Sequence, residues 1–107
     1  MSDLDFTICC TVTFFSKKRR TPPNLNNGKY CPHLVVKGSE QLLGVNFIDG
    51  EDVTFDKQIR ANALPLHETV DYSALQAGTE FFIMEDGNVV GEGFVKEIFQ
   101  HKPYGKK

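Results

Sequence analysis

Six runs rich in β-branched and aromatic residues, most of them separated by Gly, Pro, Asn, Asp or Ser, most constrain what this chain of 107 residues can fold into. The first covers residues 4–15, and Leu4, Phe6, Ile8, Cys10, Val12 and Phe14 alternate onto one face, the period-two pattern of a half-buried strand. Further strands are expected at 30–36, 41–48, 53–66, 79–84 and 88–99. A bend is expected near Asp56, and Pro65 should lie at an edge or a bulge because proline has no ladder N–H. Asp86-Gly87 between apolar runs is a strong two-residue hairpin signal. Gly91 and Gly93 interrupt the last strand and predict a bulge or close approach of another backbone. The intervening stretch, with Asp71-Tyr72-Ser73-Ala74-Leu75, supports at most one short helical turn near 71–75. Six short strands with almost no helical periodicity predict an all-β chain, a small six-stranded antiparallel barrel. Closure is favoured because an open sheet would leave apolar edges unpaired.

A mass of 12.0 kDa allows one domain with one modest core, burying about 65% of the surface of the unfolded chain. The barrel is assigned to residues 1–100, and residues 101–107 to a basic, flexible C-terminal tail. No run approaches the ~20 apolar residues of a membrane span, and Met1-Ser2-Asp3-Leu4-Asp5 is acidic where a secretory leader would be basic and then apolar. A cytoplasmic location is therefore expected. A nucleotide-hydrolysing enzyme is excluded, since no Gly-rich phosphate loop ending in Lys-Ser or Lys-Thr occurs.

The net charge of −2 is unevenly placed. Lys17, Lys18, Arg19 and Arg20 form one basic cluster and Lys102, Lys106 and Lys107 another, while residues 29–100 hold twelve acids against five bases. A basic loop and tail on an acidic body suit either a phosphate contact or a partner with complementary patches. The cluster opens a loop of about 13 residues, 16–28, and loops of that length in compact domains are functional or disordered.

Cys9, Cys10 and Cys31 are an odd number and cannot all pair within one chain. Adjacency on a strand turns one of Cys9 and Cys10 inward and the other outward. Cys31-Pro32-His33 has the composition but not the spacing of a zinc site, and His67 and His101 stand alone, so no metal or other cofactor is expected. Glu85 and Asp86, like Asp49, Glu51 and Asp52, fall on turns, where acids favour local hydrogen bonds and solvent. Ser73 lies in no Gly-x-Ser-x-Gly elbow, and no orienting third group can be named for Cys31 with His33. The chain is expected not to be an enzyme. The pairs Phe14/Phe15 and Phe81/Phe82 each place one ring inward and one outward, and two outward rings could form a docking patch.

Two passages resemble the C-terminal β-barrel, the third domain, of elongation factor Tu and related translation GTPases. The basic loop with Thr21-Pro22, then Gly28, Tyr30 and Pro32-His33-Leu34, is similar to that family's basic-loop, Thr-Pro, Gly-Tyr-Arg-Pro-Gln-Phe passage. Residues 81–95, with the Glu85-Asp86-Gly87 turn and Val90-Gly91-Glu92-Gly93, are similar to its closing hairpin. The resemblance spans nearly the whole chain and implies a stand-alone relative of one barrel, without the GTPase domain or second barrel. In the family this barrel touches the T-stem backbone of tRNA, the nucleotide-exchange factor and the GTPase domain. By position, Arg19 stands where a tRNA-contacting Arg is expected, Glu85, Asp86 and Gly87 form the backbone-contacting turn, and His33 replaces a contacting Gln. Cys31, Leu43 and Leu64 replace an Arg, a Thr and a Lys of the family pattern. Losing the Arg and the Lys removes two phosphate neutralisations, and the acidic body would repel a nucleic-acid backbone laid across it.

These readings together imply a non-catalytic binding module that docks a protein of, or acting on, the translation machinery, as a decoy or immunity-type antagonist of a toxin would. Its expected contact residues are Lys17, Lys18, Arg19, Arg20, Tyr30, His33, Glu85, Asp86 and Gly87. Weak tRNA or RNA-backbone binding through residues 17–20 is the alternative, and a structural or oligomer-forming module is a third. No membrane contact is expected, and oligomeric state is left open.

Overall fold

Residues 5–101 are described by a computed structural model. Leu4 and the 102–107 tail lie outside the described residues, as does most of the tail assignment. Strand β1 (Phe6–Phe14) carries the expected alternation, with Phe6, Ile8, Cys10, Val12 and Phe14 all buried. It is followed by β2 (His33–Val36), β3 (Leu43–Gly50), β4 (Gln58–Pro65), β5 (Glu80–Glu85) and β6 (Asn88–Gln100). All neighbours are antiparallel, and the order β1-β4-β3-β2-β5-β6 closes back on β1. The expected six-stranded closed barrel is the observed fold. Closure removes every sheet edge.

Transverse rows of inward residues explain how the interior is filled. Val12, Gly93 and Phe81 lie side by side on β1, β6 and β5, and the next row sets Phe14, Gly91 and Ile83 across the same strands. In each row a glycine sits between two large, fully buried side chains. A Cβ on Gly91 would stand 2.5 Å from the Thr13 carbonyl oxygen, and one on Gly93 would press on the Thr11 carbonyl and lie 2.9 Å from Val12 Cγ1. Large and small residues alternate because a narrow barrel cannot hold three bulky ones abreast. Both predicted features of this strand are present. The close approach is at Gly91 and Gly93, and the bulge is beside them, where the register moves from Ile83 opposite Gly91 to Met84 opposite Val89 and leaves Val90 over.

Several strand limits differ from expectation for local reasons. β2 begins at His33 rather than residue 30, because Pro32 has no N–H to donate, although the Tyr30 and Pro32 carbonyls still accept from Phe47 and Val45 at 3.0 and 3.1 Å. β4 begins at Gln58 because Asp56 adopts φ 64°, the expected bend, which breaks the ladder. β3 begins two residues later than expected, at Leu43, and runs two further, to Gly50, because past a register shift beside Ile48 it stays paired with β4, Asp49 opposite Asn62 and Gly50 opposite Ala61, while the Asn26 side-chain amide donates to the Gly50 carbonyl at 3.0 Å and accepts its N–H at 3.1 Å. Pro65 lies at neither an edge nor a bulge: it is the buried last residue of β4, opposite Val45, where its missing donor interrupts nothing beyond it.

Residues 71–75 form turns and no helix. Asp71 Oδ1 accepts the Ser73 N–H at 2.9 Å; hydrogen bonding from the Ser73 side chain, and then from its N–H, lowers the Asp71 pKa, and the Leu75 N–H closes on the Tyr72 carbonyl at 2.9 Å. Buried Tyr72 packs edge-on against Phe6, donates to the Gly44 carbonyl at 2.6 Å and accepts from the Leu66 and His67 N–H groups at 3.2 Å. One side chain thereby ties the 66–75 crossover to the barrel end. The 16–28 loop is anchored by Leu25, buried to 1%, and by the Asn26 bridge to Gly50.

Candidate functional site

Asp86 (φ 50°) and Gly87 (φ 83°) both adopt the left-handed conformation that a two-residue hairpin demands, so the Asp-Gly signal marks the β5–β6 turn as expected. That turn fixes Glu85 at the end of β5. Tyr30 reaches the same place from the segment before β2, its ring stacked on Phe47 at 5.7 Å and edge-on to Phe14 at 5.9 Å. Its hydroxyl donates a short hydrogen bond of 2.5 Å to Glu85 Oε2. Arg19 folds in from the basic loop: its Nε lies 2.9 Å and 3.2 Å from the two Glu85 oxygens, Nη1 donates to the Thr21 carbonyl at 2.6 Å, and the guanidinium sits 5.5 Å over the Tyr30 ring.

Three stretches more than ten residues apart thus meet through one carboxylate. Burial first, then the hydrogen bond and charge of Glu85, push the Tyr30 phenol well above the ordinary tyrosine range, with Arg19 opposing more weakly. The phenol therefore stays neutral and donates. The carboxylate uses both oxygens and the guanidinium is half-buried, so the trio holds its geometry without a ligand.

Beside it lies an open cleft of about 240 Å³ lined by Arg19, Tyr30, Cys31, Pro32, His33, Met84, Glu85 and Asp86. Of the expected contact residues, the structure brings Arg19, Tyr30, His33, Glu85 and Asp86 together here, with Gly87 at the turn beyond. The basic cluster divides. Lys17 and Lys18 are exposed and line a separate depression with Phe15, Ser16 and Asp56, and Arg20 is exposed. Arg19 alone turns inward, because Glu85 and the Tyr30 ring offer it a partner that its neighbours lack.

Cys31, Met84 and Pro32 line the cleft and are not among the expected contacts. The alternation of β2 and β5 could have indicated the first two: the register sets His33 opposite Met84 and places Cys31 one row further along the same face. Cys31 is exposed, Cys9 half-buried and Cys10 buried, so one of the adjacent pair faces inward as predicted. Among the described residues, no three His, Cys, Asp or Glu side chains gather as a metal site.

The outer face next to the cleft is largely apolar, with the His67 and His33 rings beside Gly44 at its middle. Leu66, Gly44, His33 and Met84 form one transverse row across β4, β3, β2 and β5, and Leu42, Val35 and Phe82 form the next. Leu42 and Leu66 are about half exposed, at 51% and 42%. Phe81 and Phe14 point inward, as expected. Their outward partners do not join into one patch: β6 separates Phe15 from Phe82, and the Lys37 ammonium lies 5.0 Å over the Phe82 ring while pairing with Glu92 and Glu80.

No helix among the described residues is long and apolar enough to cross a membrane. No family model matches the chain, and no relative is found among the curated proteins.

Proposed function

We propose that the chain is a non-catalytic binding module, similar to the third domain of elongation factor Tu, which docks a protein of or acting on the translation machinery. The observation that carries this reading is the convergence of Arg19, Tyr30, His33, Glu85 and Asp86 on one preformed cleft beside an exposed apolar strip. Protein interfaces combine an apolar centre with a polar, hydrogen-bonding rim, and this face offers both. A rigid trio also lowers the ordering cost of association.

RNA-backbone binding is less well supported. Arg19, the residue aligned by resemblance with a tRNA contact, is already neutralised by Glu85, leaving Lys17, Lys18 and Arg20 as the exposed cations of the cluster. Three cations on a chain with an acidic middle give few counterion-release contributions.

The test is direct titration of the purified chain with the GTPase domain of a translation factor, with the nucleotide-exchange factor and with tRNA, each over a salt series. Saturable protein binding that is lost in the Glu85→Arg or Met84→Asp variant is expected. Salt-sensitive tRNA binding without protein binding, abolished by neutralising residues 17–20, would replace this reading with the nucleic-acid one.

A further inference from the structure

Gly44 faces outward on β3, between Leu43 and Val45, whose side chains fill the barrel interior. The place that a side chain would take there is held by His67. A Cβ on Gly44 would stand 2.6 and 2.7 Å from Cδ2 and Nε2 of the His67 ring, and 3.7 Å from Cδ2 of His33. Two imidazoles from distant parts of the chain therefore converge on one point of the outer face. The backbone that carries His67 is fixed there: the Gly44 carbonyl accepts from the Leu66 N–H at 3.1 Å and from the Tyr72 hydroxyl at 2.6 Å, and that hydroxyl in turn accepts the His67 N–H at 3.2 Å.

A third donor extends the row. His33 on β2 is directly opposite Met84 on β5, and both half-buried side chains line the Arg19 cleft. Leu34 and Ile83 point inward, which leaves His33 and Met84 side by side outside, with Cβ atoms about 4.5–5.5 Å apart as in any directly opposed antiparallel pair. Leu42 and Leu66 flank the row and restrict water around it. Imidazole nitrogens suit late transition metals in general, whereas a thioether sulfur is a soft ligand that selects Cu(I). Zinc favours a fuller set of thiolates, imidazoles and carboxylates, and among the described residues no three such side chains gather.

We propose that His67, His33 and Met84 form a binding site for a Cu(I) ion, with one ring nitrogen from each histidine and the Met84 sulfur as ligands. Gly44 is the positioning residue, since only a residue without a Cβ seats the His67 ring beside His33. The site borders the Arg19 cleft but needs no protein partner, and it does not depend on the function proposed for that cleft.

Anaerobic titration of the full chain with Cu(I), followed by NMR of the imidazole nitrogens and the methionine methyls, tests this. The His33 and His67 rings and the Met84 methyl are expected to shift together and saturate at one equivalent, while His101, whose ring bonds Thr7 Oγ1, stays unchanged. The same shifts should persist in Cys31→Ser, which removes the exposed thiol as a competing soft ligand. Gly44→Ala keeps all three ligands but pushes the His67 ring aside, and should weaken Cu(I) binding by about 10–100-fold against a competing chelator, with Met84→Leu weakening it as well. Gly44 is not in the left-handed conformation, so its backbone accepts alanine, and an unperturbed Leu34 methyl in the barrel interior verifies folding. Copper held by Cys31 alone, with no imidazole shift in Cys31→Ser, would overturn the proposal. Affinity unchanged in Gly44→Ala and Met84→Leu, or imidazole shifts without a shift of the Met84 methyl, would overturn it too.

Discussion

Gly93→Ala is the sharpest test of how this barrel closes. The added methyl would meet the Thr11 carbonyl oxygen of β1 and lie 2.9 Å from Val12 Cγ1 and 3.1 Å from Phe81 Cζ. Val12 and Phe81 are fully buried, so neither can rotate into free space, and a carbonyl on a paired strand cannot rotate at all. β6 must instead move off β1 by several tenths of an ångström. Overpacking of that kind costs about 1–3 kcal/mol, and stretching two ladder hydrogen bonds adds about 1 kcal/mol each. A loss of about 3–5 kcal/mol is expected, a large share of the ~5–15 kcal/mol that stabilises a domain this size, which corresponds to a Tm lowered by at least ~12 °C. Gly78 is the control: it has φ 91° and no neighbour within 4 Å of its would-be Cβ, so Gly78→Ala should cost only the ~1 kcal/mol of left-handed backbone. Urea unfolding followed by far-ultraviolet circular dichroism measures both. If Gly93→Ala were no more destabilising than Gly78→Ala, the tight β1–β6 approach would not be what closes the barrel.

Tyr72→Phe removes a buried hydroxyl that serves the Gly44 carbonyl and two backbone N–H groups, and should lower stability by about 1–2 kcal/mol in the same assay while leaving the Phe6 contact intact. The Tyr30 phenol has a folded pKa raised above its unfolded value of about 10, so the fold binds more protons than the unfolded chain above that pH; stability should fall as pH rises past ~10, and Tyr30→Phe should flatten that alkaline limb in pH-dependent urea titrations. Thiol alkylation followed by mass spectrometry should label exposed Cys31 first, then Cys9, whose thiol is pushed up by burial and by Glu97 and Asp49, and last Cys10, buried and pushed up to about 12. Labelling of Cys10 at the rate of Cys31 would show that the β1–β4 seam opens readily.

What the amino-acid sequence settles alone is the set of elements. Alternation in residues 6–14, the Asp86-Gly87 turn and the paired glycines of β6 are local, because a strand's faces, a left-handed turn and the need for a missing Cβ are properties of a few neighbouring residues. Strand limits are less local. β3 reaches Gly50 by pairing with β4 beyond a register shift, and Asn26 caps that end from 24 residues away, partners that no pattern within residues 43–50 contains. The site is less local still. The four basic residues 17–20 look equivalent in sequence, yet only Arg19 is drawn inward, since its partners Tyr30 and Glu85 are delivered by the closing of β2 against β5. A side chain's availability to a partner depends on which charges and rings lie within a few ångströms, and those distances exist only once the barrel has closed.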